Sequence, residues 1–374
     1  MTNYGALTPV NIITGFLGSG KTTLLQRLLR SPELSDAAVL VNEFGEVGLD
    51  HHLLQGVAEC ALLLENGCLC CAVRGDLQKA LRDLLSRRTR GEVPHFRRVV
   101  IETSGLADPA PIAYTLLSEP VLRHHFRLSG IVTTVDAVNV ARLRDFPEAI
   151  KQVSMADRLI ITKLDLVDPS ALAELRSQLR ALNLSAQIVG STEIGADPHR
   201  LLTDDIYDPA GRFREAGLWS AEEAEQHSSH EHATGIQSFV VLFDQPLDWT
   251  AFGVWASMLL HRHGANVLRL KGILHVAGVP TPVLINGVQH IVHPPSHLDE
   301  WPDADRRSRL VFIVRGLQRA RLAIFNGLIN KPASPGRPGG GGDPLRSRGY
   351  RQTPSGYPLT RSERHLHLGL FRRE

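Results

Sequence analysis

Short apolar runs recur along the first half of the chain, and between them apolar residues return every three or four positions. The runs at residues 10–14, 38–42, 98–102, 129–136, 159–163 and 186–190 have the length and composition of buried β-strands. The intervening stretches are amphipathic; in residues 76–87, Leu77, Ala80, Leu81, Leu84 and Leu85 share one helical face. This alternation predicts an α/β fold over residues 1–204: a mostly parallel sheet covered on both faces, with ligands at the carboxyl ends of its strands. Residues 205–234 are polar and contain His227, His230 and His232, which suits either a plain linker or a loose metal-holding cluster. Strand-like runs return at 236–243, 267–276, 282–292 and 310–316, with a helix over 249–261, predicting a smaller α+β domain over 235–330. From 331 to 374 the chain is rich in Pro, Gly and Arg and lacks the apolar residues to offset chain entropy, so a disordered tail is expected.

Composition narrows the class. A chain of 374 residues exceeds one ordinary core, in line with two domains. Lys and Arg number 41 against 39 Asp and Glu, a net charge of +2 that suggests neither nucleic acid nor a membrane as partner. The first residues carry no cationic region ahead of an apolar stretch, and no apolar run is long enough to cross a bilayer, so a cytoplasmic protein is expected. The four cysteines stand at 60, 68, 70 and 71; the crowding of the last three points to metal chemistry rather than disulfides.

Residues 15–22 read Gly-Phe-Leu-Gly-Ser-Gly-Lys-Thr, a phosphate-binding loop between a predicted strand and a predicted helix. Gly15, Gly18 and Gly20 let backbone N–H groups turn inward to phosphate oxygens, Lys21 reaches the β/γ-phosphates, and the Thr22 hydroxyl sits on Mg²⁺. Glu102, at the end of a strand, suits Mg²⁺ ligation, and Gly105 can offer its N–H to a γ-phosphate. Thr162-Lys163-Leu164-Asp165 ends a later strand and has the form of a guanine-reading segment. There the Asp165 carboxylate accepts from N1–H and the 2-amino group while the Lys163 stem packs on the ring. Adenine presents the opposite edge pattern and would leave that charge unpaired, so GTP is favoured over ATP. Cys68, Cys70 and Cys71 form a thiolate set suited to Zn²⁺, Cu⁺ or Co²⁺, with a fourth position left for another ligand. An extended backbone would turn Cys71 away from the other two, so joint ligation needs a turn, which Asn66-Gly67 eases. Glu43 and Glu46, in a segment leaving another strand end, are placed to reach Mg²⁺ or the thiolate-bound ion. Cys60 has no ligand spacing and is expected in the core.

Taken in order, residues 15–23, 42–48, 67–71, 102–105 and 162–165 resemble the CobW family of P-loop GTPases, described as metallochaperones. The resemblance extends to about residue 320. It implies GTP, Mg²⁺ and Zn²⁺ or Co²⁺ as ligands, with Gly15, Gly18, Ser19, Gly20, Lys21, Thr22, Thr23, Thr162, Lys163 and Asp165 holding the nucleotide. It further implies a GTPase cycle coupled to delivery of metal from the cysteines to a metal-requiring recipient protein, and leaves a homodimer open. The alternative is a GTPase with a structural or sensing metal that acts as a nucleotide-dependent partner-binding switch.

Overall fold

Val10 and Ile12 pack on one face of a sheet and Ile13 on the other, and all three are fully buried. Their strand, β1 (Thr8–Gly15), therefore lies inside a sheet covered on both sides, the situation of a parallel α/β sheet. The structure, a computed structural model, describes residues 6–41, 61–63, 73–139, 145–194, 200–203 and 235–317. Strands β2 (Ala37–Val41), β3 (Ala61–Leu63), β4 (Arg98–Glu102), β5 (Phe126–Asp136), β6 (Arg158–Thr162) and β7 (Gln187–Gly190) join β1. All pairs are parallel, in the order β3-β2-β4-β1-β5-β6-β7. Helix α1 (Lys21–Leu29) covers one face with Leu24, Leu25, Leu28 and Leu29. The other face carries α2 (Val73–Arg90), α3 (Pro109–Ser118), the one-turn α4 (Leu122–His125), α5 (Pro147–Met155) and α6 (Pro169–Leu182). They contribute Leu81, Leu116, Leu122, Val153 and Leu179 to its core. A further single turn, α7 (Arg200–Thr203), returns Leu201 and Leu202 to the α1 side.

The register aligns the strand ends. Leu63 pairs with Val41, Val41 with Glu102, and Glu102 with Ile13, so four neighbouring strands reach one level before their loops depart.

Among the described residues the smaller domain is an antiparallel sheet backed by α8 (Trp249–His263). Its strands are β8 (Ile236–Phe243), β9 (Val267–Leu274), β10 (Val283–Val288), β11 (Ile291–Val292), β12 (Ser296–His297) and β13 (Ser308–Arg315). They run β11-β10-β9-β13-β8, with β12 beside β10. Phe239, Trp255, Leu259 and Phe312 fill its own core against α8. The expected single strand over 282–292 is two strands joined by a tight turn, with Gln289 at φ 52°. No glycine stands in that turn and β11 is only two residues long, so the sequence pattern does not separate the two strands. The three-residue β3 and two-residue β12 are likewise too short to show as a period. The predicted linker and tail lie outside the described residues.

The second sheet is also bonded to the first domain. Ile236, Leu268, Val288 and Ile313 join the core built on α2, α3 and α5. At its centre the carboxylate of Asp157, just ahead of β6, accepts from the Ile131 N–H at 2.8 Å and pairs with Arg269 and with Lys271 Nζ at 2.6 Å. Arg269 and Lys271 are each 1% exposed, so losing the carboxylate would strand two buried cations, a change that costs about 3–5 kcal/mol. His293 lies beside this cluster. Burial, and then the Arg269 and Lys271 charges, outweigh the pull of Asp157 and push its pKa down to about 3.

The sign follows directly. His293 is neutral in the fold, while the unfolded chain takes up its proton below the ordinary value of 6.5. Stability is therefore full above that value and falls toward pH 3, by about 1.4 kcal/mol per pH unit. Urea midpoints measured from pH 7 to 4 should drop steeply for the native chain and less steeply for His293→Gln.

Candidate functional site

Strand β1 ends in the glycine-rich loop, and the loop must pass close under β5. Gly15 has φ 143°, and a Cβ there would stand 2.3 Å from Thr134 Oγ1 and 2.5 Å from the Thr134 carbonyl. Only glycine fits this approach. The loop closes through Ser19 N–H to the Phe16 carbonyl, 3.1 Å. Gly20 then takes the left-handed conformation and begins α1, whose N-terminus has no side-chain cap. Such an end presents backbone N–H groups and a positive dipole to an anion. Lys21 folds back on the loop, its Nζ donating to the Gly15 and Phe16 carbonyls at 3.0 and 3.3 Å. Thr23 is exposed on the same turn.

The Thr22 hydroxyl donates to Glu102 Oε1 at 2.7 Å, joining two sequence-predicted residues that are 80 positions apart. Glu102 is buried at the end of β4. A hydroxyl and a carboxylate side by side at a helix N-terminus fit Mg²⁺, a hard cation that takes oxygen ligands and keeps several waters. Thr103 fastens the next stretch to β1, its N–H donating to the Ile13 carbonyl and its hydroxyl to Thr14 Oγ1. Gly105 then lies against the loop itself: a Cβ would come within 2.6–2.8 Å of the Leu17 side chain and backbone.

On the other side of the loop, Thr162 takes a place that the sequence left undefined. Its hydroxyl donates to the Ser19 carbonyl at 2.9 Å and to the Val135 carbonyl at 3.2 Å. It thus ties the end of β6 to the phosphate loop, a use that a larger Asn amide would serve differently. Lys163 adopts φ 58°, left-handed for a non-glycine residue, and Asp165 follows, exposed in a short 3₁₀ turn.

Asp136 is the residue that the sequence reading missed. It ends β5, accepts from Lys163 Nζ at 2.6 Å, and also accepts from the Val138 N–H and Asn139 Nδ2. Burial raises its pKa, but the Lys163, Asn139 and Val138 hydrogen bonds outweigh this and hold the carboxyl below the usual range. Its only sequence signal is a carboxylate at the carboxyl end of a predicted strand. Thr134 also went unnoticed, although its hydroxyl meets Ser19 Oγ at 2.6 Å. Glu43, Glu46, Cys68, Cys70 and Cys71 lie outside the described residues, as does Cys60. Among the described residues no three His, Cys, Asp or Glu side chains gather to hold a metal ion.

Residues 9–190 match the CobW/HypB/UreG nucleotide-binding domain, and residues 236–325 match the cobalamin synthesis protein CobW C-terminal domain. Zinc chaperone YjiA of Escherichia coli is 34% identical over 321 residues, which are 85% of this chain and 98% of that protein. The chain belongs to the CobW family. Other CobW-family relatives include zinc chaperone CobW of a Sinorhizobium species, 30% identical over 76% of this chain and 86% of its own. Zinc-regulated GTPase metalloprotein activator 1 of Schizosaccharomyces pombe is 31% identical over 67% of each chain. The crystal structure of Zn(II)-bound YjiA GTPase from E. coli matches with a TM-score of 0.63 and 28% identity, covering 87% of this chain and 99% of that one. A P-loop NTPase domain followed by a smaller antiparallel domain is thus this CobW-family member's fold.

Two substitutions separate packing from recognition. Gly105→Ala should force Leu17 aside and lower the melting midpoint by roughly 2–10 °C in calorimetry. Asp136→Asn frees Lys163 without touching the phosphate loop. It should weaken GTP and GDP alike, on the order of tenfold, when fluorescent nucleotides are titrated.

Proposed function

We propose that this protein is a GTP-hydrolysing zinc metallochaperone that holds Zn²⁺ in its GTP state and delivers it to a recipient protein when GTP is hydrolysed. The observation that carries the reading is the shared level of Leu63, Val41, Glu102 and Ile13 across neighbouring strands. Neighbouring strands lie about 4.8 Å apart, so the strand end from which residues 64–72 depart is roughly 10 Å from Glu102. The strand end from which residues 42–48 depart is adjacent to it. A change at the γ-phosphate thus has a short route to both segments that carry the candidate metal ligands.

The roles follow residue by residue. Lys21 and the open N-terminus of α1 hold the phosphates, Thr22 and Glu102 hold Mg²⁺, and Gly105 meets the γ-phosphate. Mg²⁺ supplies charge neutralisation between the β- and γ-phosphates. Thr162, Lys163 and Asp165 hold the guanine, with Asp136 fixing Lys163. Cys68, Cys70 and Cys71, helped by Glu43 or Glu46, hold the zinc ion as cargo. Three thiolates also accept Co²⁺; the names of the relatives, zinc chaperones and zinc-regulated activators, favour zinc. We assign residues 1–204 to the GTPase unit and 235–330 to the smaller one, in a cytoplasmic protein.

Decisive loading and release require about 5 kcal/mol of differential affinity between the two nucleotide states. Reciprocity then makes zinc tighten GTP binding by the same factor. Zinc affinity should be measured by competition with a chromophoric chelator, once with GDP and once with a non-hydrolysable GTP analogue. We expect roughly 10³–10⁴-fold tighter binding with the analogue, lost when Cys68, Cys70 and Cys71 are changed to Ser. Equal affinity in both nucleotide states would overturn delivery and leave a GTPase with a structural metal.

A further inference from the structure

Gln152, on the inner face of α5, is fully buried, and a glutamine is an unusual choice for such a place. Its Nε2 donates to the Gly105 carbonyl at 3.1 Å and to the Ala107 carbonyl at 2.9 Å. Both partners are acceptors, so the amide nitrogen must face them. The backbone carbonyl of Gln152 accepts from Thr133 Oγ1 at 3.0 Å, which anchors this turn of α5 to β5. The neighbouring Lys151 pairs with Asp108, whose other oxygen caps α3 through the Ala110 N–H. Helix α5 therefore grips both ends of residues 105–108, while Thr103 fixes the preceding stretch to β1.

We propose that Gln152 is the positioning residue for Gly105, presetting the turn whose Gly105 N–H meets the γ-phosphate. The inference rests on the GTPase reading above and extends it to a residue that no motif marks. The Gly105 N–H shares its peptide with the Ser104 carbonyl, which accepts from the Ala107 N–H at 3.1 Å, and Gln152 holds the carbonyls of Gly105 and Ala107 on the following peptides, so residue 105 is fixed on both sides. That amide cannot drift. It is buried, Thr133 anchors the backbone that carries it, and its helix runs into Asp157, which is locked to Arg269 and Lys271 of the second sheet. Gln152 Oε1 is buried without a hydrogen-bond partner among the described residues. Packing alone would be served by leucine at lower cost than an amide with an idle acceptor. The side chain also lines the cavity bounded by Phe16 and Leu17 of the phosphate loop, Asp136 and Asn139, so it stands next to the site rather than behind it.

A role confined to Gly105 has a distinctive readout, because GDP has no γ-phosphate to miss. In the full-length protein, Gln152→Leu should leave the Kd for fluorescent GDP within twofold. The Kd for a fluorescent non-hydrolysable GTP analogue should rise about tenfold, and kcat should fall by a similar factor. Loss of GDP and analogue binding to the same extent, or of neither, would overturn the proposal. The native chain offers a test that does not depend on the variant folding. Hydrogen exchange of residues 103–108 and 147–155 should change together when GDP is replaced by the analogue; change in the first without the second would also overturn it. Failure of the native chain to bind either nucleotide would instead sink the GTPase reading itself.

Discussion

A parallel sheet turns every carboxyl end to the same edge, and in this chain that constraint collects the chemistry. The phosphate loop follows β1, Glu102 ends β4, Asp136 ends β5, and Thr162 ends β6. None of these segments is near another in sequence, yet the sheet spacing of about 4.8 Å brings each within reach of its neighbour. The apolar side chains on both faces supply the stability that permits so many polar groups at one edge. Val10, Ile12, Val100 and Ile101 are all fully buried, and they hold the strands in the register on which the Thr22–Glu102 contact depends.

At that edge small hydroxyls do the joining. Thr14 meets Thr103, Ser19 meets Thr134, and Thr162 reaches the Ser19 carbonyl. Short side chains lose little rotamer entropy when fixed, and their hydroxyls can both donate and accept. They bring the loops so close that only glycine fits at positions 15 and 105. A buried network of this kind is satisfied in one arrangement only, which makes the loop geometry specific.

The two domains meet on different terms. An apolar seam formed by Ile236, Leu268, Val288 and Ile313 surrounds one anion held by two cations, Asp157 with Arg269 and Lys271. The anion belongs to the first domain and lies between α5 and β6, so the smaller domain grips the nucleotide-binding unit from behind. His293 is kept neutral by burial and by the cationic excess of this cluster, which makes the junction sensitive to acid.

Some of this was legible from residues alone. The phosphate loop declared itself because its glycines, lysine and threonine lie in one unbroken run between a strand and a helix, and local spacing is what a sequence displays. Strand 98–102 and strand 236–243 coincide with their apolar runs for the same reason. Asp136 and Gln152 gave almost no sign, since each acquires its role from a residue 27 or 47 positions away. The turn at Gln289 was hidden because no glycine stands in it and the strand after it is only two residues long. What the sequence determined by itself was the order of the main elements and the ligand class of the loop, both consequences of side-chain chemistry at short range. What only the tertiary structure decided was which strand ends stand side by side and which buried polar groups hold them, because strand order and register are set by long-range packing.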